Sequence, residues 1–480
     1  MAVEWSRIAY DDEILNKEFT INEKSDNYSI LTSEFGECFV LTGSTDKTFT
    51  LPNASAIWQY KRIRCAVSGA ATLTIQPYSG GTINGKAKLE STHQYAWVEL
   101  VLTGANTWMI YSSSKKNLPI NYSSWILKTS SGYQFSKTIT IDHNKVSGSS
   151  NHSNFPVLIK EISQDFLKTR ANGGNIENSN GYDIIFTSDS GGETQLDHEI
   201  QRYNGTSGDF IAWVRIPTLD YNDNTVLYMH YGNSSISSSQ EDVDGTWESN
   251  FKGVWHLKEQ GDGTASEYID SSGNSNHGQG GAGTSGYVPE KYKSMIDYGQ
   301  LYDGEDDQID CKSGSTLDQL SSLTFSCWIK RKRVDQTNPR LFEKRATAAE
   351  GKVFFLYDGL RPRFSVKTDT PDEVYKETSV ELEDNVAYHV AVTWDGTLNA
   401  SGINLYVNGS LGAVEGSAGG TGNIIDDSGG NFWLFSRDAN DRTFLGVVGE
   451  VHISESVRSA DWILTEYNNQ VDPKSFYTVS

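Results

Sequence analysis

The stretch GVWHLKEQGDGTASEYIDSSGNSNHG, Gly253 to Gly278, brings His256 and His277 together with Glu259, Asp262, Glu267 and Asp270. Three chemistries use these residue types. A nucleophilic triad needs Ser or Cys held against His, and that His held against a carboxylate. The stretch has the types but no GxSxG elbow. A zinc hydrolase places two histidines one helical turn apart around a Glu; His256 and His277 stand in no such frame. Calcium takes six to eight oxygens from carboxylates, amides and carbonyls, and Asp270, Asn274 and the neighbouring carbonyls supply several. His256 is therefore expected as a strand residue, and His277 as a residue that packs a loop.

A glycosidase needs two carboxylates across a cleft, about 5–10 Å apart. Among 62 acidic residues some pair always qualifies, so this criterion does not discriminate. Phosphate-cradling and dinucleotide glycine loops are absent from the sequence. The expectation is a protein with no catalytic residues.

The elements that would position such groups are strands. The chain has 480 residues, length enough for several cores. It carries 24 Tyr, 19 Phe and 12 Trp and only 10 Pro, a balance that favours β-rich domains with many turns. Its formal net charge of −22 opposes binding to phosphate backbones and anionic membranes. The four cysteines, Cys38, Cys65, Cys311 and Cys327, form no CxxC pair and are expected as buried free thiols. The N-terminus, MAVEWSRIAYDDEILNKEF, has early acids and lacks the apolar core of a signal peptide, so synthesis in a cytoplasm without membrane insertion is expected.

An arm of residues 1–20 precedes a strand-patterned region, 21–114. Within it ATLTIQPYSG alternates apolar and polar residues, and YAWVELVLTGANTWMIYSS reads as a hairpin turning at Thr103–Asn106. Residues 115–238 hold further strand patterns, FPVLIK, YDIIFTS, DFIAWVRIP and TVLYMHYGN, between polar loops. SSISSSQEDVDGTWES reads as a solvated linker. From there to residue 480, SLTFSCWIKRK and YHVAVTWDG alternate again, and ADWILTEYNNQ reads as a short helix capped by Ser459 with Trp462 on its buried side. The fold class expected is all-β and multi-domain: a small N-terminal β-domain, a middle β-sandwich and a C-terminal jelly-roll sandwich over 239–480.

Three resemblances bear on function. EWSRIAYDDEIL, FTLPNAS, LTIQPYSGGTING and YAWVELVLTGANTWMIY, in that order, resemble the small β-domains near the N-terminus of tailed-phage appendage proteins. GYDIIFTS, LDHEIQRY, WVRIP and LYMHYGN resemble an uncharacterised β-domain that often precedes laminin-G-like sandwiches. GVWHL, DSSGNSNHG, LYDGEDDQIDC, LTFSCWIK, VAYHVAVTWDG, INLYVNG, NFWLFSR and GEVHISESVRSADWILTEYNNQ resemble the laminin-G-like, concanavalin-A-like jelly rolls of the pentraxin-related branch.

These resemblances imply a virion accessory protein: a capsid decoration, head fibre or tail fibre, made in the host cytoplasm and displayed on the virion surface. The N-terminal region would hold other virion proteins, and the C-terminal domain would meet host-surface glycans. A homo-oligomer, in many such appendages a trimer, is implied as well. Decoration without a ligand and a bacterial surface glycan-binding protein are the alternatives. The last family also implies a structural or ligand-bridging Ca²⁺, for which Asp270, Asn274 and Glu450 are the expected ligands. Gly449 stands where the family often has a second acid, and the cluster Asp303–Asp307 is an alternative. For glycans, Trp433, Arg437, Asp438 and Asn440 are the expected contacts, with Tyr357 and Tyr375 as further contributors.

Overall fold

The computed structural model describes residues 21–35, 38–42, 44–54, 62–67, 72–79, 81–83, 86–91, 97–104, 106–110, 126–128, 132–333, 337–345, 350–438 and 441–480. The N-terminal arm and Asn440 lie outside these residues. The chain forms two compact units, and the stretch 115–238 contributes segments to both.

The first unit comprises the described residues up to Thr138, with Asn175–Gln195 and Leu227–Ser239. Two sheets enclose Phe39, Phe49, Ile63, Leu73, Leu100 and Trp108. Ile21–Lys24, Cys38–Leu41 and Arg62–Val67 lie parallel in one sheet; Tyr28–Ser29, Lys47–Thr50 and Leu73–Gln76 lie parallel in the other. Successive strands thus alternate between the sheets. Parallel neighbours need a crossover, and here the strand of the opposite sheet provides it. The hairpin expected at Thr103–Asn106 is present: Trp97–Gly104 pairs antiparallel with Thr107–Ile110, and Asn106 takes a left-handed φ of 50°.

The second unit holds Ile139–Gly174, Leu196–Val226 and Gln240–Ser480. Its core is a sandwich of two antiparallel sheets. One sheet, here called the docked sheet, runs Glu290–Lys293, Tyr298–Asp303, Leu445–Ser454, Leu323–Arg331, Ala387–Trp394, Ile403–Val407, Ser410–Leu411, with Phe251–Trp255 also paired to Leu445–Ser454. The other, the open sheet, runs Gln279–Gly280, Ile309–Asp310, Phe432–Leu434, Arg340–Arg345, Glu350–Tyr357, Arg361–Lys367, Glu373–Thr378, Val414–Ala418. Period-two alternation turns one set of side chains inward from each sheet. Phe342 sits at the centre, its ring 4.7 Å from Phe325 and 5.3 Å from Phe432. Cys311 and Cys327 are buried free thiols here, as Cys65 is in the first unit.

The outer side of the docked sheet is covered. A three-stranded sheet, His152–Glu161, Asp209–Leu219 and His198–Asn204, lies against it, as does the helix Ala460–Val471. Ser459 caps that helix, its Oγ accepting the Trp462 N–H at 3.1 Å, and Trp462 is buried as expected. Asn469 of the helix bonds the backbone of Leu158 on both its N–H and C=O sides. Trp328 donates its indole N–H to Gln470 at 2.6 Å.

One expectation needs correction. The Ser-rich linker ends earlier than its composition suggests. Val243–Thr246 forms a helical turn capped by Asp242, and Trp247 beyond it is fully buried. An indole removes far more apolar surface from water than flanking Ser and Asp can oppose.

Substituting Phe342→Ala empties the centre of the aromatic cluster. Denaturant unfolding is expected to show a loss of about 3–5 kcal/mol, the range for buried Phe truncation.

Candidate functional site

The outer face of the open sheet carries Arg, Glu and aromatic residues; Arg340, Glu343, Phe355 and Glu377 are buried there, and the half-buried ones cluster around Arg363. Inward positions are Phe342, Phe354, Phe364 and Val374. The intervening positions form rows across the strands. Arg340, Phe355, Arg363 and Glu377 oppose one another in succession; Trp433, Glu343, Val353, Ser365 and Tyr375 form the next row. Tyr357 faces Arg361 in a third. Cross-strand neighbours stand about 5 Å apart, close enough for each pair to interact.

Arginines and rings therefore interleave. The Arg363 guanidinium lies 3.7 Å from the Tyr375 ring centroid, 5.1 Å from Tyr357 and 5.8 Å from Phe355. Arg340 sits 5.2 Å from Phe355. Acids complete the lattice: Arg340 pairs with Glu343 at 2.7 Å, Arg361 with Glu377 at 2.8 Å, and Arg363 with Glu373. Tyr357, Tyr375, Arg361 and Arg363 are half-buried. A half-exposed phenol offers a flat apolar face with a polar edge. Beside it, guanidinium donors and carboxylate acceptors alternate. Vicinal hydroxyls, which both donate and accept, match that alternation.

Tyr357 and Tyr375, named from the sequence as further glycan contributors, both lie in these rows. Trp433 shares their sheet face but is 6% exposed, so its ring is not a stacking surface. Asp438 pairs with Arg345 at 2.9 Å, and Arg345 in turn with Glu343 at 3.2 Å. Arg437 instead pairs with Asp441. Arg340, Arg361, Arg363, Glu343 and Glu377 were missed. RPRFSVK carried a signal for two of them, since residues two apart on a strand share a face.

The three expected calcium ligands are otherwise engaged. Asp270 accepts the backbone N–H groups of Val254, Ser272 and Asn276, all at 2.9 Å, and so ties the loop to the first strand of the sandwich. His277 accepts the Asp270 N–H at 3.0 Å, the packing role expected of it. Asn274 gives its amide N–H to Phe251 O at 2.8 Å. Glu450 stands between two imidazoles, 2.8 Å from His256 Nδ1 and 2.8 Å from His452 Nε2. A cation here would have to displace two imidazoles and three backbone donors, so this set does not fit calcium. Asp303, Asp306 and Asp307 do converge, with carboxylate oxygens within 4.8 Å of one another. Burial, and then crowding by the other two acids, pushes the Asp307 carboxyl up to about 7.

His256 follows its strand directly and enters a buried chain. Its Nε2 lies 3.2 Å from Glu199 of the three-stranded sheet, and its Nδ1 meets Glu450. His452 continues from Glu450 to Glu466 of the helix at 3.0 Å. Ser271 and Trp247 donate to Glu199 at 2.7 and 2.8 Å. Ser326 donates to Glu466 at 3.0 Å. Glu450 sits on a bulge with φ of 49°, an unfavoured conformation that aims its carboxylate at both rings. Burial opposes charge on the imidazoles, but the flanking carboxylates outweigh it. His256 is pushed up to about 10 and His452 to about 9. Burial likewise opposes the Glu450 charge, yet the two imidazoliums hold it down at about 2.

Family comparisons agree with the sandwich. Residues 303–464 match the model of the Concanavalin A-like lectin/glucanases superfamily. These residues form a concanavalin-A-like domain. Residues 180–258 match a domain of unknown function (DUF2341). Among solved structures, domain 4 of AbnA, a GH43 extracellular arabinanase from Geobacillus stearothermophilus, in complex with arabinotriose, is 14% identical. That likeness covers 46% of this chain and 98% of that one, with a TM-score of 0.33. The binding domain of Paraclostridial Mosquitocidal Protein 1 is 15% identical over 47% of this chain and 52% of its own, TM-score 0.35. The CBM40 of Ruminococcus gnavus IT-sialidase bound to α2,3-sialyllactose is 14% identical over 37% and 97%, TM-score 0.29. No curated protein matches.

The buried chain dictates a pH profile. Its histidines have raised folded values, so their contribution is complete below the ordinary 6.5 and is lost as pH rises toward about 9–10. Glu450 has a depressed value, so its contribution is complete above 4.5 and is lost as pH falls toward about 2. Thermal melts across pH should show the combined contribution greatest between 4.5 and 6.5. Histidine NMR should show two imidazoliums persisting at pH 8.

Proposed function

We propose that this chain is a non-catalytic glycan-binding accessory protein of a tailed-phage virion. The observation that carries the binding reading is the Arg–Tyr–Glu lattice on the open sheet of a concanavalin-A-like domain. A pyranose ring would stack its C–H face on Tyr375 or Tyr357. Its hydroxyls would then meet Arg363 and Arg361 as donors and Glu373 as acceptor. A shallow face of this kind binds weakly per copy, and display of many copies on a particle multiplies the effect. The N-terminal strand patterns that resemble phage appendage domains support the virion assignment. Particle proteins would be the partners of that region, and oligomerisation would supply the copies.

Calcium, in this reading, belongs to Asp303, Asp306 and Asp307. A divalent cation would relieve the repulsion among three crowded carboxylates, and Asp307 would bind it as the deprotonated form. It would brace the loop after Tyr298–Asp303 rather than touch sugar.

The deciding experiment presents the full chain, multimerised, to an array of bacterial and neutral glycans. Binding to a defined set is expected. Tyr375→Ala or Arg363→Ala should each weaken it about tenfold, roughly 1.4 kcal/mol, with unfolding midpoints as controls. Silence of the wild-type chain across the array would leave decoration without a ligand.

A thermal melt with calcium and then with chelator tests the cation. A higher midpoint with calcium is expected, and Asp306→Asn should abolish the difference. Equal midpoints for the wild-type chain would remove the ion from the account.

A further inference from the structure

The docked sheet is not covered to its edge. Beside the hairpin Glu290–Lys293/Tyr298–Asp303 a groove of about 170 Å³ remains, lined by Lys293, Ser294, Met295, Trp328, Ile329, Lys330, Ala387 and Val447. The lining contains two ammonium groups and no acid. The apolar groups open to it are Met295 and Ala387, both half-buried, while the Trp328 ring beneath packs against Tyr467 and His389. Lys293 and Lys330 are exposed.

The surroundings add to the same sign. Lys160, from the three-stranded sheet, reaches the Met295 carbonyl at 3.4 Å. Arg202 pairs with Asp297 at 3.0 Å and lies 3.4 Å from Asp209. Asp297 feels Arg202, Lys160, Lys258 and Lys291 together. Burial lowers the Lys160 ammonium, and Lys293 and Arg202 lower it further although Asp297 opposes them. Positive charge is therefore packed here beyond what Asp297 and Asp209 neutralise. In a chain of net charge −22 this is a local reversal of sign. Two rings stand on the same hairpin: Tyr292, 49% exposed, and Tyr298, 39% exposed, the latter with the Lys291 ammonium 4.4 Å from its centroid. Tyr292 pairs across the hairpin with Gly299, and Gly299 approaches Gly449, which pairs with Trp328.

We propose that this groove binds one carboxylate-bearing sugar unit of an acidic polysaccharide. Lys293 and Lys330 hold the carboxylate, and Met295 and Ala387 take the C–H face of the ring. Tyr292 extends the apolar surface toward the next unit. The groove is well below the roughly 300–1,000 Å³ that encloses a drug-sized ligand, which suits a single ring of a continuing chain. Few cations set in a strongly acidic protein favour carboxylates separated by neutral sugar atoms. A dense phosphate polymer or an anionic bilayer would meet the −22 field along its whole length. The site is separate from the Arg–Tyr lattice, which lies on the other sheet, and does not rest on it.

The test measures binding of the full chain to polygalacturonate, dextran, dextran sulfate, duplex DNA and anionic phosphatidylglycerol vesicles, at about 50 mM and about 300 mM salt. Polygalacturonate is expected to bind and to weaken with salt. The double substitution Lys293→Gln/Lys330→Gln should cut that binding about tenfold or more. Both side chains are exposed, and an unchanged melting midpoint confirms the fold. Absence of polygalacturonate binding overturns the proposal, as does indifference to the double substitution. Equal or tighter binding of dextran sulfate, DNA or vesicles, lost in the same variant, overturns it too, because the surface would then be a general polyanion contact. Neutral-glycan binding that survives any of these outcomes leaves the open-sheet reading intact.

Discussion

Five side chains, Glu199, His256, Glu450, His452 and Glu466, hold the second unit in register. They come from the three-stranded sheet, the residue after the first sandwich strand, the Leu445–Ser454 strand and the C-terminal helix. Each imidazole has a carboxylate near both nitrogens, and three of these four contacts join different elements. Three carboxylates against two imidazoliums leave one excess negative charge. Neutral donors absorb it at the ends, Ser271 and Trp247 at Glu199 and Ser326 at Glu466. Removing a single partner from such a chain strands a buried charge, which typically costs 3–5 kcal/mol. The same geometry explains why Glu450 tolerates a left-handed backbone: its carboxylate is held by His452 of its own strand and by His256 beyond Phe251–Trp255.

That arrangement decides which surfaces remain for ligands. Docking of the three-stranded sheet and the helix consumes most of the outer face of one sheet. The stacked Trp213 and His256 rings, 6.0 Å apart, and the Trp247 and His452 rings, 5.0 Å apart, fill the seam. On the opposite sheet the sequence places Arg and Glu in alternate positions around half-buried tyrosines. At the margin of the covered face the hairpin and the Lys330 strand leave a smaller, cationic groove. The sandwich therefore offers two surfaces of different chemistry, one of balanced charge with aromatic faces and one of positive charge over an apolar floor.

The loop Ser271–Asn276 shows how residue types mislead when read without partners. Asp270 looks like a cation ligand because it is an acid among Asn and Gly. In place, three backbone N–H groups saturate it, and its role is to close the loop onto Val254. A carboxylate surrounded by backbone donors and one surrounded by oxygens read identically in sequence. The acids that do converge, Asp303, Asp306 and Asp307, are local in the chain, which is why that cluster was visible from the start.

Local physics was legible. Strand alternation in LTFSCWIKR and AYHVAVTW, the Ser459 cap, the hairpin at Thr103–Asn106 and the buried thiols all depend on a few neighbouring residues. So was the all-β class, since period two is a property of consecutive side chains. The rest depended on distance along the chain. His256 meets Glu450 across 194 positions, and Trp247 meets Glu199 across 48. Neither pairing leaves a trace in spacing. Which tyrosines share a face with which arginines was settled by cross-strand register, and which sheet the helix and the three-stranded sheet pack on was settled by where they came to rest. Sequence alone determined which elements form. Only the tertiary structure decided their partners, because a buried charge is satisfied by whatever the fold brings to it.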